Sequence, residues 1–183
     1  MSKKTKKKKL DPIPKINRRL FLLWSLAVRE RAGHKCEVCG VAKGDINANG
    51  KKIKIDAHHL LSRKIKDCPL KFDIQNGVGA EPECHKFSET SFHKSPISTV
   101  TWLMEHHYDR YEYVLNNAHI KVDLQNRKVL EEIEIRLKAK ESLDLNKLKE
   151  IEAQYPRKTK KPKIKYVGSL FDDEESSSYA GDE

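Results

Sequence analysis

The sequence predicts an α+β fold, and three observations carry that reading. A stripe of Leu20, Leu23, Trp24, Ala27, Val28 and Arg31 repeats at helical spacing near the start of the chain. A run of strict alternation, KIKIDAH, follows at 52–58. Beyond residue 95 the spacing returns to that of helices and stays so to about residue 154.

Taken in order, PIPKINRRLFLLWSLAVRERAG is a lead-in turn and then a helix, with Gly33 as its C-terminal stop. CEVCG occupies 36–40. VAKGDINANGKK is loop-like, with Asn49-Gly50 as a turn signal. In KIKIDAH, Ile53, Ile55 and Ala57 share one face and Lys52, Lys54 and Asp56 the other, the pattern of a half-buried strand. SRKIKDCPLKFDIQNG reads as an irregular connection, VGA as a short second strand, and CHKFSETSF as the start of a helix. Ser95 is an N-cap and Pro96 a first-turn proline for one helix through Leu115. Its expected apolar stripe is Ile97, Val100, Met104, His107/Tyr108, Tyr111 and Val114/Leu115. Two more helices are expected near 125–140 and 144–154, with stripes Val129, Ile133, Leu137 and Leu145, Leu148, Ile151. No internal repeat is present.

The formal net charge is +10 and the pI about 9.4, a balance that favours a polyanionic partner, nucleic acid ahead of a membrane surface. The charge is blocked. Residues 1–19 carry nine Lys or Arg against one Asp, residues 157–165 carry six with no acid, and residues 172–183 carry six acids with no base. Such blocks are expected to be disordered. No stretch reaches the roughly 20 apolar residues a spanning helix needs, and MSKKTKKKKL lacks the apolar run of a secretory signal. An intracellular, cytoplasmic protein is therefore expected, in which the four cysteines serve as thiols or metal ligands rather than disulfides.

The chemistry concentrates between residues 36 and 93: Cys36-x-x-Cys39, His58-His59, Asn76, Cys84-His85 and His93. Each alone has an ordinary structural explanation, but together they outline a metal site. Breaking a phosphodiester needs a base that deprotonates water and a cation that neutralises charge on the phosphate and the leaving oxygen. Imidazole serves either role near neutral pH. Adjacent residues on a strand face opposite sides. One ring of a His-His pair can thus face a metal while the other faces a water.

CEVCG…DAHHLLSRK…FDIQNGVGAEPECHKF…SFHKSP resembles HNH endonucleases of the ββα-metal fold, especially small phage-type members, over roughly residues 18–100. The resemblance implies a ββα-metal core with an N-terminal helix and a C-terminal helical extension. It implies His59 as the general base, His58, His85 and His93 around the metal, and Asn76 bracing the loop and orienting the base. Arg63, four residues after the base, either holds the scissile phosphate by two hydrogen bonds or is a solvated loop arginine. The family cleaves DNA with one divalent cation, commonly Mg2+ or Mn2+, sometimes Ni2+ or Zn2+. The implied organisation is a basic arm (1–13), a nuclease domain with flanking helices (14–118), a helical extension (119–155) and a basic-then-acidic tail (156–183). The implied setting is phage DNA processing, packaging or recombination in the host cytoplasm.

One part of the pattern departs from relatives that hold a structural zinc ion with two Cys-x-x-Cys pairs. Here the second pair reads Glu81-Pro82-Glu83-Cys84. Cys36, Cys39 and Cys84 remain, with three alternatives for the fourth position: Cys68 folding back, Glu81 binding through oxygen, or no structural ion. Cys68 is placed first. Lys6, Lys7, Lys8 and Lys9 with Arg63 and Lys64 are the expected DNA contacts, sequence-independent and salt-sensitive. The acidic end is expected to fold back on the basic tracts and compete with DNA. VGSLF at 167–171 resembles the peptides with which replication proteins bind a clamp. Two other classes stay open: a zinc-knuckle module that binds nucleic acid without cutting it, and an adaptor for replication or packaging proteins.

Overall fold

The structure, a computed structural model, describes residues 11–157. Helix α1 (Ile13–Arg31) accommodates Pro14 in its first turn, where a missing amide costs nothing. It ends where Gly33 adopts a φ of +60°. Its inward face, Ile16, Leu20, Trp24, Ala27 and Val28, forms one side of the main core. The opposite side comes from α4 (Arg127–Ala139) and α5 (Leu145–Gln154), through Val129, Leu130, Ile133, Leu137, Leu145 and Leu148. Asn126 and Asp144 cap these two helices by accepting from the Lys128 and Lys147 amides. Both helices fall where the sequence spacing puts them, and they share one core with α1.

The sheet has two antiparallel strands, β1 (Asp56–His59) and β2 (Gly77–Ala80), in register Asp56–Ala80, Ala57–Gly79, His58–Val78 and His59–Gly77. Two glycines on one face of β2 let α1 lie directly against the sheet. A Cβ on Gly77 would stand 2.3 Å from Val28 Cγ2, and one on Gly79 would stand 2.7 Å from the Ala32 Cβ. The other face carries Val78 and Ala80 into a second, smaller core with Cys36, Ile55 and Phe92. The sheet therefore separates two apolar clusters. Glu37 pins it from behind: its carboxylate accepts from the Gly79 amide at 2.6 Å and pairs with Arg31 and with Arg110. Arg31 also donates to the Gly77 carbonyl at 2.6 Å.

The fold is α+β, as expected, but two local readings are corrected. The alternating run does not form one strand over 52–58. Residues 45–53 pair among themselves around the Asn49-Gly50 turn, which has Gly50 at φ +71°, and only residues 56–59 reach β2. Ile53 and Ile55 thus join the smaller core while Ala57 packs on the main one. The expected helix through Leu115 is two helices, α2 (Pro96–His106) and α3 (Tyr108–Asn117), broken at His107 with φ −145° and ψ 48°. The break lets α3 turn Arg110 onto Glu37 and Tyr113 onto the buried Asp73. Within α2, Ile97, Val100 and Met104 are exposed and Leu103 is the buried residue. CHKFSETSF starts a helix as expected, a short wide one over Glu83–Phe87 that closes with the Ser88 amide on the Glu83 carbonyl. Among the described residues no helix is long and apolar enough to cross a membrane.

Candidate metal centre

Strand β1 sends its two adjacent histidines to opposite sides. On the side of the smaller core, His58 stacks on Phe92, with ring centroids 4.9 Å apart and planes 16° from parallel. It meets His85 and His93 edge-on at 5.0 Å each. His85 comes from the turn Glu83–Phe87 and His93 from the residues just after it. The ligand nitrogens of all three lie within 4.8 Å of one another. His85 Nε2 and His93 Nε2 are 3.2 Å apart. Two ligands held about 2.1 Å from one ion stand roughly 3.0–3.4 Å apart. That pair therefore already has the spacing of ligands on a shared cation, and His58 closes the triangle from the strand.

Two features prepare these rings for a cation. Asp56, two residues before His58 and so on the same face of β1, accepts from His85 Nδ1 at 3.2 Å. A carboxylate accepts, so Nδ1 carries the proton and Nε2 presents its lone pair to the cluster. Burial, reinforced by the neighbouring His85 and His93, pushes His58 down from 6.5 to about 3, and burial also lowers His85. Both rings are thus neutral at pH 7, the form that binds metal.

His59 faces α1. Its ring stacks on Trp24, centroids 3.6 Å apart and planes within 16°. Trp24 is itself fixed by its Nε1, which donates to the Asp73 carbonyl at 2.8 Å. His59 Nε2 lies 2.9 Å from the Lys71 carbonyl oxygen. A carbonyl only accepts, so Nε2 holds the ring proton and Nδ1 keeps a free lone pair. Burial lowers the ring's pKa to about 4; the Lys71 carbonyl opposes that shift and Arg63 adds to it.

Asn76 braces the loop rather than touching either ring. Fully buried, it accepts from the Leu61 amide at 2.6 Å and donates to the carbonyls of Leu61 and Leu70, at 3.1 and 3.0 Å. It therefore ties the segment after His59 to the turn (69–72) whose Lys71 carbonyl anchors that histidine.

These groups open into one cleft of about 890 Å3 between α1 and α2. His58, His59, His85 and His93 line it beside the apolar Phe21, Trp24 and Leu103, and Arg63, Lys64 and Lys86 bring positive charge. Arg63 lies over the Phe21 ring at 5.7 Å, which holds the guanidinium near His59. Lys6, Lys7, Lys8 and Lys9, the acidic end and VGSLF lie outside the described residues.

A second cluster brings the sulfurs of Cys36, Cys39 and Cys84 within 4.8 Å of one another. Thiolates at 2.3 Å from one tetrahedral zinc are about 3.8 Å apart, so the three fit one ion. Cys68 is not the fourth. It is buried in the main core with its thiol toward the Ala118 carbonyl at 3.9 Å, because the connection that carries it folds against α1 rather than the knuckle. Glu81 acts as a cap, its two oxygens accepting from the amides of Glu83 and Cys84.

Sequence reasoning missed Asp56 and the second role of Trp24. The first was legible as an acid two positions before a ligand on a strand. The second was hidden because Trp24 also fits a core stripe. No family model matches the chain, and neither a curated protein nor a solved structure matches it.

Proposed function

We propose that this chain is a metal-dependent endonuclease of the HNH, ββα-metal type that hydrolyses DNA phosphodiester bonds. The observation that carries the reading is the division of labour on β1: His58 joins a three-imidazole cluster, while its neighbour His59 stands apart with Nε2 anchored and Nδ1 free.

His58, His85 and His93 would hold a divalent cation, which when bound neutralises charge on the phosphate and the leaving oxygen. Three imidazole ligands suit Zn2+ or Ni2+ better than Mg2+, which prefers oxygen ligands; Mn2+ lies between them. His59 Nδ1 takes the proton from the attacking water as that water's oxygen bonds to phosphorus and the P–O bond to the leaving oxygen breaks, the leaving oxygen then taking a proton from solvent water. Proton gain makes the ring an imidazolium, stabilised where it forms by the Lys71 carbonyl and the face of Trp24. Asn76 keeps the Lys71 carbonyl in place, so the ring does not rotate away during transfer. Arg63 at the mouth of the cleft supplies donors for the non-bridging phosphate oxygens.

The test is nicking of supercoiled plasmid with Mg2+, Mn2+, Ni2+, Zn2+ or chelator, wild type against His59→Ala. Metal-dependent nicking that falls about 10²–10⁴-fold in the variant is expected for loss of a general base. DNA binding with no nicking in the wild-type chain under any cation would replace this reading with a non-catalytic knuckle module.

A further inference from the structure

A second groove adjoins the histidine cleft. Arg63 and Lys64 line both. From them the second groove extends past Lys66 and Lys71 to Arg157 and encloses about 410 Å3. Of its two acids, Asp123 pairs with Arg157 at 2.9 Å, while Asp67 raises the pKa of Lys71 without an ion pair to it within 4.0 Å. Among the described residues Arg63, Lys64, Lys66 and Lys71 form no ion pair within 4.0 Å, unlike Arg157. Lys71 is half-buried with its ammonium 5.4 Å from the Phe72 ring centre, and burial holds its pKa below the ordinary lysine value. An anion seated beside it would offset that desolvation. Arg157 is the last described residue, and residues 158–165 add five lysines and no acid.

We propose that this groove binds the sugar–phosphate backbone of a nucleic-acid strand to one side of the bond presented to His59, with Arg63 and Lys64 shared between the two clefts. The direction of the strand toward His59 rests on the nuclease reading; binding in the groove does not. A strand held this way must continue past the reacting phosphate, so the substrate is a polymer rather than a nucleotide.

Binding is read in the full chain carrying His59→Ala, by fluorescence anisotropy of a labelled DNA duplex across a range of potassium chloride. A parallel RNA duplex of the same sequence identifies which strand the groove takes. Lys66→Glu reverses an exposed charge in the groove. Lys149→Glu makes the same net change at an exposed position of α5 that lines neither groove. Lys66→Glu is expected to weaken binding about tenfold and to lower the slope of log affinity against log salt by about one to two, with Lys149→Glu costing about twofold at most. Equal weakening by both variants would mean that net charge alone acts, and no weakening by Lys66→Glu would remove the groove from binding; either outcome overturns the proposal. Because this assay needs no cleavage, its failure is separate from a wild-type chain that does not nick plasmid.

Discussion

Two side chains of identical chemistry, adjacent in sequence, acquire different properties from what each of their nitrogens touches. His58 has other imidazoles as neighbours and is held neutral by burial and by their potential charge. His59 has a carbonyl on one nitrogen and a tryptophan face on its ring, which selects one tautomer. Asp56 does for His85 what Lys71 does for His59: it occupies one nitrogen so that the other is defined. Asp56→Asn keeps the shape but removes the charge. It is expected to weaken Mn2+ or Zn2+ affinity about 10–100-fold, measured by calorimetric titration of chelator-treated protein. Unchanged affinity would show that this carboxylate does not tune the cluster.

At the scale of elements, the setting of His59 depends on how closely α1 approaches the sheet. Trp24 reaches His59 because residues 77 and 79 have no side chain, so Val28 and Ala32 rest on the backbone of β2. Gly77→Ala places a Cβ inside Val28 and close to Trp24. Overpacking of this kind costs about 1–3 kcal/mol. The variant should unfold at lower urea, and with α1 pushed away the Trp24–His59 stack should loosen, so that under the proposed nuclease function cleavage should fall more than metal affinity. Stability equal to wild type would mean that α1 shifts freely. The pairing of two glycines with a two-residue alternation was visible in GVGA. The partner helix was not, because periodicity reports a face and not what covers it. The same limit explains α2. Ile97, Val100 and Met104 have helical spacing, yet they are exposed and Leu103 is the residue of α2 that is buried.

For the whole molecule, the buried imidazoles couple stability to pH. In the metal-free fold His58 and His59 stay neutral down to about 3 and about 4, whereas the unfolded chain protonates them near 6.5. Between those values the unfolded state binds more protons. Stability is therefore full above pH 6.5 and falls as the pH drops, by up to about 1.4 kcal/mol per pH unit for each ring, less where solvent reaches it. Urea midpoints of chelator-treated protein should decline steadily from pH 6.5 to 4.5, and His58→Gln/His59→Gln should flatten that decline. A wild-type midpoint that is level across this window would show the rings to be solvated in the native state.

Local rules of periodicity and capping were enough to read the α+β class, helices α4 and α5 and the opposed faces of His58 and His59, whereas the membership of both ligand clusters, apart from Cys68, was what the resemblance implied. Those rules act over a few residues, and the side chains themselves carry them. Which thiol is left out, where α2 gives way to α3, and which carbonyl and indole hold His59 depended on contacts between segments tens of residues apart. Glu37 capturing Arg110 and the 68–72 turn packing on α1 are choices among many surfaces of similar composition. They are settled by packing and charge pairing in the assembled fold, and leave no periodic trace in the chain.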